Sequence, residues 1–160
     1  MITKDFVLAG RAVFTVESPE KHWTYRVKRK DNVWFVGLLT GPDNASSYTY
    51  LGMLHEDGTV HLTAKSKYRE DSKPVRVLRA VLKRVWVDDA QAITAAGWDV
   101  NHEGKCGCCG RALTTPMSCL TGIGPVCRGY MPAVKAVGMQ IASLTLEQRE
   151  VLCAQVSAQS

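Results

Sequence analysis

The stretch HWTYRVKRKDNVWFVGLL, His22–Leu39, joins two unlike apolar patterns through a turn. In its first half Trp23, Tyr25 and Val27 alternate with Thr24, Arg26 and Lys28. That period of two belongs to a strand with one face in a core and the other in solvent. One face is aromatic and apolar, and the other is basic. Lys30-Asp31-Asn32 supplies turn formers, and VWFVGLL, Val33–Leu39, resumes as a strand apolar on both sides.

The same grammar extends in both directions. AVFTVES, Ala12–Ser18, is a β-rich run on the N-terminal side. TGPDNASS, Thr40–Ser47, is a loop of turn formers, followed by the strand YTYLGML, Tyr48–Leu54. Asp57-Gly58 is a two-residue hairpin signal, and TVHLTAK returns after it. These runs predict an antiparallel meander of about five strands. Asp71, Ser72 and Pro74 then open a helix in which Leu78, Val81, Leu82 and Val85 share one stripe and Arg76, Arg79 and Lys83 another. A shorter helix follows, with Asp88 or Asp89 as its cap and Gly97 as its stop. SLTLEQREVLCAQ, from Ser143, predicts a closing helix in which Cys153 is a buried thiol.

At 160 residues the chain has the length of one domain, and a 46% apolar fraction with 22% charged residues is that of a globular protein with a sizeable core. The apolar window of MITKDFVLAG is too short for a signal peptide, and no segment approaches the roughly 18 apolar residues of a membrane span. The expected location is the cytoplasm, that of the host cell if the protein is phage-encoded, with no membrane partner. The net charge of +5 permits nucleic-acid contact without requiring it. Before residue 90 there are 15 basic and 11 acidic residues, and after it 5 and 4, so the excess lies in the β/α body.

Five of the six cysteines fall within NHEGKCGCCGRALTTPMSCLTGIGPVC, Asn101–Cys127. Disulfides rarely persist in a reducing cytosol, so such a cluster points to a metal or a redox centre. Cys106-x-x-Cys109 followed by Gly110 has the spacing of a zinc knuckle, and Gly124-Pro125 places Cys127 in the first turn of a helix. Three ligands follow from that spacing, and Zn²⁺ is the expected ion. His102 and Cys119 are both open as the fourth. Local reach from a preceding strand favours His102. Four closed ligands would make the ion a structural staple with no open position for catalysis.

Knuckle and helix-start cysteine together resemble the layout of treble-clef zinc modules. The stretch is also similar to a zinc-binding motif of small uncharacterised bacteriophage and prophage proteins, of the form HEGxCxxCGRxLTxPxSxxxGIGPxC. The residues that carry the likeness are His102-Glu103-Gly104, Cys106, Cys109-Gly110-Arg111, Leu113-Thr114, Pro116, Ser118 and Gly122 to Cys127. The resemblance implies a phage accessory protein and supports the set His102, Cys106, Cys109 and Cys127. Cys119 departs from it, because an aliphatic residue is expected there.

Rival sites are weaker. TGIGP lacks the lysine of a P-loop and the spacing of a dinucleotide fold, so its glycines read as a tight turn. His55 and His61 flank the hairpin and could face one another, but two histidines without a third ligand are usually polar surface residues. No GxSxG or recognised cysteine-nucleophile context is present, and no small-molecule substrate is evident. The basic residues Arg26, Lys28, Arg76, Arg79 and Lys83 would form a phosphate-contacting surface if they converged, with Tyr48 or Tyr50 available to stack on bases.

The expected fold is α+β: a five-stranded antiparallel meander packed by a helix over residues 1–98, then a small treble-clef-like zinc module with a C-terminal helix over 99–160. The expected function is that of a non-enzymatic, zinc-stabilised accessory protein binding nucleic acid or a host nucleoprotein complex. The rival is a protein-interaction antagonist of a host defence or transcription complex. A nuclease is the third reading, although no carboxylate and histidine constellation supports it.

Overall fold

The structure, a computed structural model, describes residues 1–129; the predicted closing helix and Cys153 lie outside them. The protein is α+β. A short helix, α1 (Lys4–Leu8), leads into β1 (Arg11–Glu17), β2 (His22–Lys30), β3 (Val33–Leu39), β4 (Tyr48–Leu54) and β5 (Val60–His61). Helices α2 (Lys73–Trp86) and α3 (Ala90–Ala95) follow, then β6 (Asp99–His102), α4 (Pro116–Thr121) and α5 (Pro125–Arg128).

The strands of the described residues join one antiparallel sheet in the order β5-β4-β3-β2-β1-β6. The meander is as expected, but the sheet has six strands and not five. The sixth is formed by Asp99–His102, which pairs with β1 from Phe14↔His102 to Glu17↔Asp99. The cysteine-bearing segment therefore begins as an edge strand of the body.

The period of two in β2 does what its chemistry demands. Tyr25 and Val27 are fully buried, with Ala12, Phe14 and Val16 beside them on β1 and Val36 and Leu38 on β3. Against this inner face lies α2, whose Val77, Leu78, Val81, Leu82 and Val85 are buried in the same core. The Tyr25 hydroxyl donates to the Pro74 carbonyl at 2.7 Å, tying the helix start to the sheet and satisfying a buried polar group.

A β-bulge interrupts the β3–β4 pairing. Val36 pairs with Gly52 and Gly37 with Tyr50, leaving Leu51 as the extra residue. Alternation is thereby reset: Tyr48, Tyr50 and Met53 stand opposite the outward positions of β3, while Leu51 and Leu54 are buried. Gly52 also lets β5 approach, since a Cβ there would stand 2.5 Å from the His61 carbonyl oxygen. The outer face thus carries two cross-strand rows, Val13–Arg26–Gly37–Tyr50 and Arg11–Lys28–Phe35–Met53.

Capping sets the helix boundaries. Asp89 accepts from the Ala92 amide at the start of α3, and Thr115 and Ser118 form a reciprocal capping box on α4. Helix α1, which the sequence pattern did not announce, is capped by Thr3 and buries Phe6 and Val7. No helix of the described residues is long and apolar enough to cross a membrane.

Candidate metal centre and basic face

The Cys106–Gly110 turn closes through the Gly110 amide donating to the Cys106 carbonyl at 2.8 Å. Cys106 in turn donates its amide to the Arg111 carbonyl at 2.8 Å, and Lys105 pairs with Ala112 in an isolated bridge. This small hairpin holds Cys106 and Cys109 on one side. Gly124, the N-cap of α5, donates its amide to Cys106 Sγ at 3.2 Å and brings Cys127 in from the following helical turn.

As a result the sulfurs of Cys106, Cys109 and Cys127 all lie within 4.8 Å of one another. Two thiolates on one tetrahedral zinc, each at about 2.3 Å, stand roughly 3.8 Å apart, so this trio needs only a small closure to share an ion. Among the described residues it is the one group of three or more His, Cys, Asp and Glu side chains disposed for a metal.

The electrostatics divide the trio. Burial opposes ionisation of Cys106, yet the amides of Gly124, Cys109 and Cys108, with the Cys109 thiol, outweigh it and hold the Cys106 thiol below the ordinary cysteine value. Cys127 is pushed up to about 12, first by burial and then by the thiols of Cys109, Cys108 and Cys106 facing it. Several thiols crowded together resist ionising without a cation between them. An ion of charge +2 reverses that balance.

His102 stands outside the trio. Its Nδ1 accepts from the Gly104 amide at 3.0 Å, so Nε2 carries the proton and donates to the Cys119 carbonyl at 2.7 Å. Its ring lies 5.5 Å from that of Phe6. The Nε2 bond ties β6 to α4 and the Nδ1 bond closes the turn at Gly104, so both ring nitrogens are engaged away from the thiols in this structure. Burial lowers the His102 pKa, in keeping with a neutral ring in this place. Cys119 is also apart, its thiol directed at the Leu113 carbonyl at 3.9 Å. Cys108, which spacing alone passes over as the middle of a knuckle, stands outside the trio, but its thiol is among the neighbours that push the Cys127 thiol up. The signal available was the Cys108-Cys109 doublet.

The module is locked to the body by Phe6, which is 1% exposed. A Cβ on Gly107 would lie 2.7 Å from the Phe6 ring, and one on Gly122 would overlap it. The Gly107 amide donates to the Gly122 carbonyl at 2.9 Å, while the Arg11 amide donates to the Gly107 carbonyl at 2.6 Å. The thiol cluster is thereby anchored beside the start of β1.

The predicted basic residues divide between two sides of the sheet. Arg26 and Lys28 belong to the outer face, while Arg76, Arg79 and Lys83 belong to α2 on the inner side. Arg79 is also tied down: its guanidinium donates twice to the Val60 carbonyl and pairs with Glu70. The five therefore do not converge. In place of the α2 stripe, the outer face joins Arg26 and Lys28 to Arg11 and Lys105 around a cavity of about 550 Å³ that runs from β1 and β2 to the cysteine hairpin. Glu103 is the one acid in its lining and pairs with Lys105 at 3.3 Å.

Residues 99–132, from β6 through the thiol trio, match the model of a family of unknown function, DUF6011. No curated protein and no solved structure matches the chain. Over its cysteine-bearing segment, then, this protein is similar to that family of unknown function.

Proposed function

We propose that this is a non-enzymatic, zinc-stabilised accessory protein, of phage origin, that binds nucleic acid through the outer face of its sheet, alone or within a host nucleoprotein complex. Zn²⁺ would be held by Cys106, Cys109 and Cys127 in a treble-clef-like module. Cys108, whose thiol also acts on Cys127, is a candidate for the fourth position, and His102 would be free to serve only after releasing Cys119 and Gly104. The likeness of the motif to phage and prophage proteins supports the origin. A structural role for the ion follows from its place: it would fasten a largely polar segment to an edge strand.

The observation that carries the binding reading is the cavity between sheet and hairpin. A volume of about 550 Å³ rimmed by Arg11, Arg26, Lys28 and Lys105 against a single carboxylate is suited to phosphate. Oligonucleotide binding measured against salt tests it. Four phosphate contacts give a slope of log affinity on log salt of about −3 for a single strand. A salt-independent affinity, or none, refutes the reading. A pull-down whose partner survives nuclease treatment would favour the rival, an antagonist of a host defence or transcription complex, and cleavage dependent on added Mg²⁺ would favour a nuclease.

A further inference from the structure

We infer that the nucleic acid this face takes is single-stranded, with Phe35 and Tyr50 as the shelf on which its bases stack. The inference rests on the nucleic-acid reading above and adds the substrate class. Phe35 points away from the core from the middle of the sheet and is 36% exposed, unusual for a phenylalanine flanked by strands on both sides. The Tyr50 ring lies 6.4 Å from it at a 50° tilt. Gly37, directly opposite Tyr50 in the row that joins it to Arg26, adds no side chain there, and Tyr48 packs over that position, 3.2 Å from where a Cβ would stand.

A second, shallower cavity of about 130 Å³ covers this shelf and shares Arg26 and Lys28 with the basic cavity. Phosphate donors and aromatic surface are therefore contiguous. Lys28 and Phe35 are direct cross-strand partners, which places their side chains about 5 Å apart at the base. Tyr48 has another task. Arg26 lies over its ring at 3.9 Å and donates to the Ala45 carbonyl at 2.8 Å, so one face of Tyr48 braces a guanidinium.

The chemistry selects the occupant. In a duplex the faces of the bases are hidden within the stack, so aromatic rings on a sheet surface gain little from it. An unstacked strand can lay bases on the rings while its phosphates run along the cations, and such stacking tolerates any sequence.

The test uses the zinc-loaded chain and labelled strands of about 12 nucleotides, as DNA, as RNA and as the DNA duplex, read by fluorescence anisotropy. Wild type should bind either single strand more tightly than the duplex. Phe35→Ala and Tyr50→Ala should each weaken single-strand binding about 5- to 150-fold and leave the salt slope unchanged. Phe35→Leu and Tyr50→Leu, which keep apolar bulk without a π-face, should show the same loss, Phe35→Leu with an unaltered melting temperature and Tyr50→Leu with only the small change from losing the Thr63 hydroxyl bond at 3.3 Å. Lys28→Gln should instead lower the slope by about 0.7. If the duplex binds as tightly as the strands, or the leucine variants bind normally, the shelf is wrong while nucleic-acid binding stands. If no strand or duplex binds, the underlying reading itself fails.

Discussion

Gly122→Ala tests whether the cysteine module and the body are one packed unit. Gly122 sits at φ +70°, in the left-handed region, and a Cβ there would overlap Phe6 Cδ2, with Cε2 and Cγ at 3.0 Å. The left-handed backbone costs an alanine about 1–2 kcal/mol, and forcing a methyl into a filled site costs about 1–3 kcal/mol more. The expected loss is therefore about 2–5 kcal/mol. Gly97→Ala is the internal control, because Gly97 has φ +79° but nothing within 4 Å of the added Cβ. It should lose only the backbone part. At about 2–4 °C per kcal/mol for a chain of this size, thermal melting of the zinc-loaded proteins should place Gly122→Ala about 2–12 °C below Gly97→Ala. Phe6→Ala alone should cost about 3–5 kcal/mol, and the double variant should lose less than the sum, because the new methyl enters the space the ring vacates. The Gly122 change should also weaken zinc binding, since Gly124, two residues on, donates to Cys106 Sγ. Equal melting of the two glycine variants, with additive effects in the double variant, would refute the argument that Phe6 is the wedge.

Elemental analysis of the purified protein should find one zinc per chain. Cys106→Ser, Cys109→Ser and Cys127→Ser should each lose it, whereas Cys119→Ser and His102→Ala should retain it; a Cys108→Ser variant without zinc would identify that residue as the fourth ligand. On α2, Arg79→Gln should cost about 1.5–3 kcal/mol by removing the charged donor to the Val60 carbonyl, and Arg76→Gln and Lys83→Gln should change stability by less than about 0.5 kcal/mol. None of the three should alter oligonucleotide affinity or its salt slope beyond the small effect of net charge, and a drop in slope of about one contact for any of them would return α2 to the binding surface.

The elements that could be read from the residues are those set by short spacings. Alternation placed β2 with Tyr25 and Val27 inward and Arg26 and Lys28 outward, and the stripe of Leu78, Val81, Leu82 and Val85 placed α2 on the core. The Asp57-Gly58 turn, the Asp89 cap, the Cys106-x-x-Cys109 turn and the helix-start position of Cys127 are likewise local, each decided by the geometry of three or four consecutive residues. What spacing could not convey begins where partners are distant in the chain. Asp99–His102 is too short and too polar to announce a strand, and becomes one because β1 offers an unpaired edge. Leu51 is inward despite its register because a bulge opposite Gly37 adds a residue. His102 has the reach of a ligand, but the Cys119 carbonyl and the Gly104 amide claim its nitrogens. The basic residues of β2 and α2 are alike in composition and lie on opposite sides of a sheet. Sequence by itself determined the five strands of the meander, the main helix and the three thiols, because backbone periodicity and turn chemistry act over a few residues. Tertiary structure alone decided which side chains meet, because a hydrogen bond or a packed ring depends on atoms that the chain brings together only when it has folded.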